Sequence, residues 1–169
     1  MKTAAVMVLA GVLSAAPVMA QNSAPGAGSD AGSAANANTD ILIQKLKADK
    51  KLLVATNMDL TEAEGKKFWP LYDAYQKDLE QINQRLGRTI KTYADAYNAG
   101  QGTVPGETAR KLMNDTLGVE EAEVKLKRTY ASKIGKVLSS AKTARYLQIE
   151  TKIRSIIKAE LAKEIPLIY

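Results

Sequence analysis

Between Met58 and Asn98 apolar side chains recur at every third or fourth position: Phe68, Tyr72, Tyr75, Leu79, Ile82, Leu86, Ile90, Tyr93 and Tyr97. That spacing holds one stripe on one side of a helix. At 1.5 Å per residue such a helix is roughly 50 Å long, far beyond the usual three turns, and a small globule cannot enclose it. It needs a partner of similar length. Residues 105–138 supply one, with Ala109, Leu112, Met113, Leu117, Val124, Ile134 and Leu138 on helical spacing. The expectation is an elongated antiparallel helical hairpin.

The hairpin is punctuated by recognisable signals. Thr61, followed three residues later by Glu64, is a capping box at the start of the first long helix, with Leu60 just outside it. Gly65 comes next, where a helix would prefer almost any other residue. Pro70 removes a backbone donor, so a kink is expected near Lys66, the alternative being a fresh start at Pro70. Trp69, the only tryptophan, has two readings: a ring packed beneath the first helix, or an exposed contact for a client. Packing is favoured because large aromatics are mostly buried. Asn98 to Thr103 forms a turn and Pro105 restarts the chain. Gly87, Gly118 and Gly135 interrupt the long helices, which is expected where helices cross closely. A last helix starts at Ser139 or Ser140 and runs to about Lys163, with Tyr146, Ile149, Ile153, Ile156 and Ile157 on its apolar face; Pro166 ends it. With a shorter helix ahead of Met58 there are four helices and no alternating strand pattern. The expected class is all-α, built around the long hairpin.

Ahead of the hairpin, Lys2, the small and apolar run from Ala4 to Ala16, and small residues at Val18 and Ala20 fit a secretory signal peptide over residues 1–20, cut after Ala20. Residues 21–38 hold only Gln, Asn, Ser, Ala, Pro, Gly and Asp30. That composition buries nothing and is expected to form a disordered leader. Thr39 or Asp40 caps a helix carrying Ile41, Leu42, Leu46, Leu53 and Val54, so residues 39–169 make one domain of about 130 residues. The expected compartment is the periplasm.

The residue inventory excludes much chemistry. There is no His and no Cys, so imidazole bases, thiolate nucleophiles, disulfides and the usual zinc and copper ligand sets are absent. Glu120, Glu121 and Glu123 read as a solvated face among lysines, with Glu107, Glu121 and Glu123 each four residues before Lys111, Lys125 and Lys127. No cofactor, metal or catalytic group is expected, and the chain reads as a non-enzyme. Charge says more. Without Lys2 the 24 bases become 23 against 18 acids, and the excess is uneven. Between Val124 and Lys158 there are ten bases (Lys125, Lys127, Arg128, Lys133, Lys136, Lys142, Arg145, Lys152, Arg154, Lys158) against one acid, Glu150. Such a face attracts acidic clients or anionic lipid; export argues against nucleic acid. A plain solvated face is the alternative.

Leu60-Thr61-Glu62-Ala63-Glu64 resembles the first Leu-Thr-x-x-Gln motif of the Spy/CpxP group of periplasmic stress proteins. Val137-Leu138-Ser139-Ser140-Ala141-Lys142, with Arg145-Tyr146-Leu147-Gln148 after it, stands where the second motif would be. The order of leader, short helix, motif, hairpin, motif and last helix over about residues 40–160 is also similar to theirs. Glu64 takes the place of the first motif's Gln, and Ser139 and Lys142 the places of the second motif's Thr and Gln. The resemblance implies a homodimeric, cradle-shaped helical protein that binds unfolded clients without ATP or restrains a sensor kinase. It also implies metal binding in a His-rich branch, which a chain without His does not match. On this reading Leu60, Thr61, Glu64, Leu138, Ser139 and Gln148 carry the motifs and helix caps. Trp69, Lys125, Lys127, Arg128, Lys133 and Arg145 are candidate partner contacts. The alternative is a signalling or envelope-binding module whose basic face meets a sensor domain or anionic lipid.

Overall fold

The computed structural model describes residues 48–168, and every regular element among them is helical. The expectations for the signal peptide, the leader and the helix start at Thr39 or Asp40 lie outside the described residues. Four helices follow one another: α1, described over 48–58, then α2 (Glu62–Ala99), α3 (Gly106–Ile134) and α4 (Ser140–Glu164). The fold is all-α.

α2 has 38 residues, about 57 Å at helical rise. It is uninterrupted through Pro70, so no second helix begins there. The ring sits on the exposed side, where water can satisfy the Lys66 carbonyl that it leaves unpaired. Gly65 is buried because the Trp69 indole lies over it: a Cβ there would sit 3.4 Å from Nε1.

Contacts fix how the helices run. Asp78 meets Tyr130, Arg85 lies beside Gly118, and Tyr93 shares a cluster with Leu112. Positions rise along α2 as they fall along α3, the order produced by two helices pointing in opposite directions. α4 returns beside α2, with Gln76 against Glu150, Asn83 against Arg154, and Tyr93 Oη donating to the Pro166 carbonyl at 2.7 Å. α1 crosses one end, with Lys51 bonded to Asp73 and the Asn57 carbonyl near Arg145.

The main core therefore lies at that end, where all four helices meet. Val54 and Met58 from α1, Phe68, Tyr72 and Tyr75 from α2, Tyr130 and Ile134 from α3, Leu138 and Tyr146 of α4 and its approach are all buried. A smaller cluster of Tyr93, Val104 and Leu112 closes the other end. The turn between α2 and α3 uses left-handed backbone at Gln101 and Gly102. Gly100 there admits no side chain, since a Cβ would fall 2.2 Å from the Thr103 carbonyl oxygen.

The apolar stripe expected on α3 is split. Leu112, Val119, Leu126, Tyr130 and Ile134 are buried, whereas Met113, Leu117 and Val124 are exposed. α3 is one layer of a bundle and buries only the arc that meets α2 and α4. The close-crossing account of the glycines also fails. Nothing lies within 4 Å of a Cβ at Gly87, and at Gly118 the nearest atom is the mobile end of Arg85, 3.2 Å away.

Gly87 is thus a helix-interior glycine with no packing reason. Gly87→Ala should stabilise the chain by about 0.5–1 kcal/mol, read as a higher urea midpoint with an unchanged slope. A lower midpoint would mean that the open space at Gly87 has been misjudged.

Candidate functional site

The segments Leu60–Glu64 and Val137–Lys142, 78 positions apart at Glu64 and Lys142, meet in space. Thr61 caps α2: its hydroxyl accepts from the Glu64 amide at 3.3 Å, and the Glu64 carboxylate accepts from the Thr61 amide at 2.8 Å. Ser139 caps α4, its hydroxyl accepting from the Lys142 amide at 3.3 Å. The Lys142 ammonium then donates to Glu64 Oε2 and to the Asp59 carbonyl, each at 2.7 Å. One ion pair so joins the starts of α2 and α4 to the end of α1. The Lys142 bond, seconded by the Thr61 amide, holds the Glu64 carboxyl below its ordinary value of 4.5. Beneath this cluster Leu138 is buried and Leu60 packs against the core. Gln148 is exposed and does not join it.

Trp69 follows the packing reading. It meets Phe68 and Tyr72 edge to face at 5.1 and 5.5 Å, and Lys51 of α1 places its ammonium 5.3 Å above the ring. Next to it the basic tract divides into two groups. Lys142 and Arg154 are structural, Lys158 pairs with Glu120 and Glu123, Lys127 donates to Thr151 at 3.3 Å, and Lys133 sits 4.5 Å over the Tyr130 ring. Arg145 reaches the Asn57 carbonyl at 3.5 Å. Lys125, Arg128, Lys136 and Lys152 have no ion-pair partner among the described residues.

Glu123 is a correction. It is not on a solvated face with Lys127 but buried, 6 % exposed, and bonded to Arg154, itself 8 % exposed. Arg154 also donates to Asn83 Oδ1 at 3.0 Å, which leaves its Nε without a partner. Likewise Lys111 pairs with Asp115, not with Glu107. Sequence reasoning also missed a second polar network. Glu150, 2 % exposed, accepts from Lys50 and from Gln76, both at 2.8 Å. Being the lone acid in a run of ten bases was the available signal.

These interior groups are bonded to one another rather than aimed at a cleft. Burial raises the phenols of Tyr72, Tyr75 and Tyr146 well above their ordinary value. Tyr130 is pushed up to about 12 by burial and its bond to Asp78. All four stay protonated at neutral pH. No group of three acids or other ligands that could hold a metal occurs among the described residues, and none of their helices is long and apolar enough to cross a membrane. A shallow hollow at the α2–α3 turn is lined by Ala96, Ala99, Gly100, Thr103, Val104 and Pro105, and brings no titratable group together. No family model, curated protein or solved structure matches this chain.

Two predictions follow from the ion pairs. Glu123→Ala strands a buried guanidinium and should cost about 3–5 kcal/mol in urea unfolding, whereas Glu123→Leu with Arg154→Met should recover most of it. Because Glu64 titrates below its ordinary value in the folded state, its contribution is complete above about pH 4.5 and lost as pH falls through the folded value. Glu64→Gln should therefore lower the urea midpoint at pH 7 and converge with the parent only as pH falls past the lowered folded-state value of Glu64. Parallel curves across that range would remove Glu64 from the link.

Proposed function

We propose that this chain is an exported, ATP-independent binding protein, a chaperone or envelope-stress adaptor that holds unfolded or partner proteins and performs no catalysis. The motif resemblance at Leu60–Glu64 and Val137–Lys142 supports this reading, as does the absence of His and Cys. The Glu64–Lys142 pair adds to it by tying both motif copies into one structural unit. On this reading the chain acts in the periplasm as a homodimer, on acidic or unfolded clients or a sensor kinase domain.

The observation that carries the reading is exposed aliphatic surface on α1 and on α4, on α4 along the side that carries Arg145. Leu52 and Leu53 of α1 and Ile156 of α4 are exposed. Helical spacing sets Arg145, Ile149 and Ile156 within about 40° of one another, on the side from which Arg145 reaches α1. Large exposed aliphatics grouped with bases mark an interaction surface better than a passive one. The hairpin alone does not require a second copy, because α1 and α4 already cover its seam. A dimer would form through surface outside that seam.

A few-fold excess of the purified protein should delay aggregation of several unrelated denatured clients without nucleotide. Leu53→Ser with Ile156→Ser should weaken that protection several-fold while helix content by circular dichroism is kept. Absence of protection by the parent protein would overturn the reading.

A further inference from the structure

The outward side of α3 carries a second, separate surface. Met113, Leu117 and Val124 are 56 %, 51 % and 50 % exposed. At 100° per residue they fall within about 40° of one another and about 135° from the buried stripe of Leu112, Val119, Leu126 and Tyr130. Arg110 and Arg128 lie within about 60° of that aliphatic line, one beyond each end, and Lys125 lies beside Val124. None of these three bases has an ion-pair partner among the described residues. With Lys127 and Lys158 the face holds five bases against three acids, Glu107, Glu120 and Glu121, Glu107 lying at the same helical angle as Lys125. Glu120 is already paired with Lys158 at 3.4 Å.

We propose that this face of α3 docks on an anionic lipid surface, with Met113, Leu117 and Val124 entering the headgroup layer and Arg110, Lys125 and Arg128 meeting lipid phosphates. A single helix with an apolar line and flanking bases is the form of an interfacial helix, and a net basic face complements an anionic bilayer. The line lies on one helix away from its packed sides, so it offers a ridge. An extended polypeptide needs a groove or a sheet edge, whereas a planar surface accepts a ridge. A second copy fits poorly in the register that pairs the two ends of the line. An antiparallel α3 with Met113 against Val124 would set Leu117 against Glu120 and Arg110 against Lys127, burying one charge on an aliphatic side chain and opposing two others. This surface is distinct from the α1–α4 flank, so the two assignments stand or fall separately.

The test uses the full chain and vesicles of about one part phosphatidylglycerol to two parts phosphatidylcholine, with pure phosphatidylcholine as reference. The parent should bind the anionic vesicles and be released by salt. Arg110→Glu with Arg128→Glu should weaken binding by at least about tenfold, while Lys77→Glu with Arg88→Glu on α2, the same change in net charge, should keep it. Leu117→Ser with Val124→Ser should reduce binding several-fold even at low salt, with circular dichroism confirming folded helices. The proposal is overturned if the parent ignores anionic vesicles or if both charge-reversed pairs lose binding equally. It is also overturned if the α3 variants keep vesicle binding and lose client protection, which would assign the ridge to polypeptide clients.

Discussion

Tyr75 touches both Tyr130 of α3 and Tyr146 of α4 edge to face, with ring centroids 5.3 and 5.7 Å apart. Phe68 and Tyr72 extend the contact to the other side of Tyr146. This group of rings binds three long helices at one level, and the rest of the bundle is placed from it. Each ring buries a large apolar area, and the edge-to-face geometry adds about 0.5–1.5 kcal/mol per pair. α1 then closes the open side of the cluster through Val54 and Met58. Away from that end the described residues form three helices, held by the small cluster around Tyr93.

Polar chemistry inside the bundle specifies orientation more than stability. Glu150 with Lys50 and Gln76, and Glu123 with Arg154 and Asn83, each tie three helices through bonds with exact partners. A helix rotated by one position would leave a charge buried and unpaired. The Glu64–Lys142 bond does the same job at the surface, aligning two helix starts and the end of α1. Most of these interior groups are satisfied by one another, Arg154 Nε being an exception.

The outside of the bundle is uneven. Bases near the α4 start and the α3–α4 seam are used up by acids, carbonyls and rings, so the basic run of the sequence contributes much less free charge than its composition indicates. Of what remains free, Arg110, Lys125 and Arg128 stand on α3 near three half-exposed apolar side chains, while Lys136 lies in the α3–α4 connection and Lys152 on α4; Leu52 and Leu53 of α1 and Ile156 of α4 are exposed as well. Large apolar side chains thus stay exposed on α1, α3 and α4.

The helices and their ends were legible from the chain alone, because helical spacing, the Thr61–Glu64 box, Ser139 and Pro105 act through bonds within a few residues. The packing of Trp69 was legible from residue type, since large rings are mostly buried, and it packs partly buried against the core. Which side of α3 would be buried was not, because Leu112 and Met113 are equally apolar and only the positions of α2 and α4 choose between them. Glu123 reads as solvated from its lysine neighbours, and its partner is 31 residues away. Nor does local spacing show that Glu64 would meet Lys142 across 78 residues. The sequence by itself determined an all-α chain of long helices, since that follows from short-range periodicity and caps. Only the tertiary structure decided which charges are consumed and which apolar residues stay outside, because burial depends on neighbours that chain order does not name.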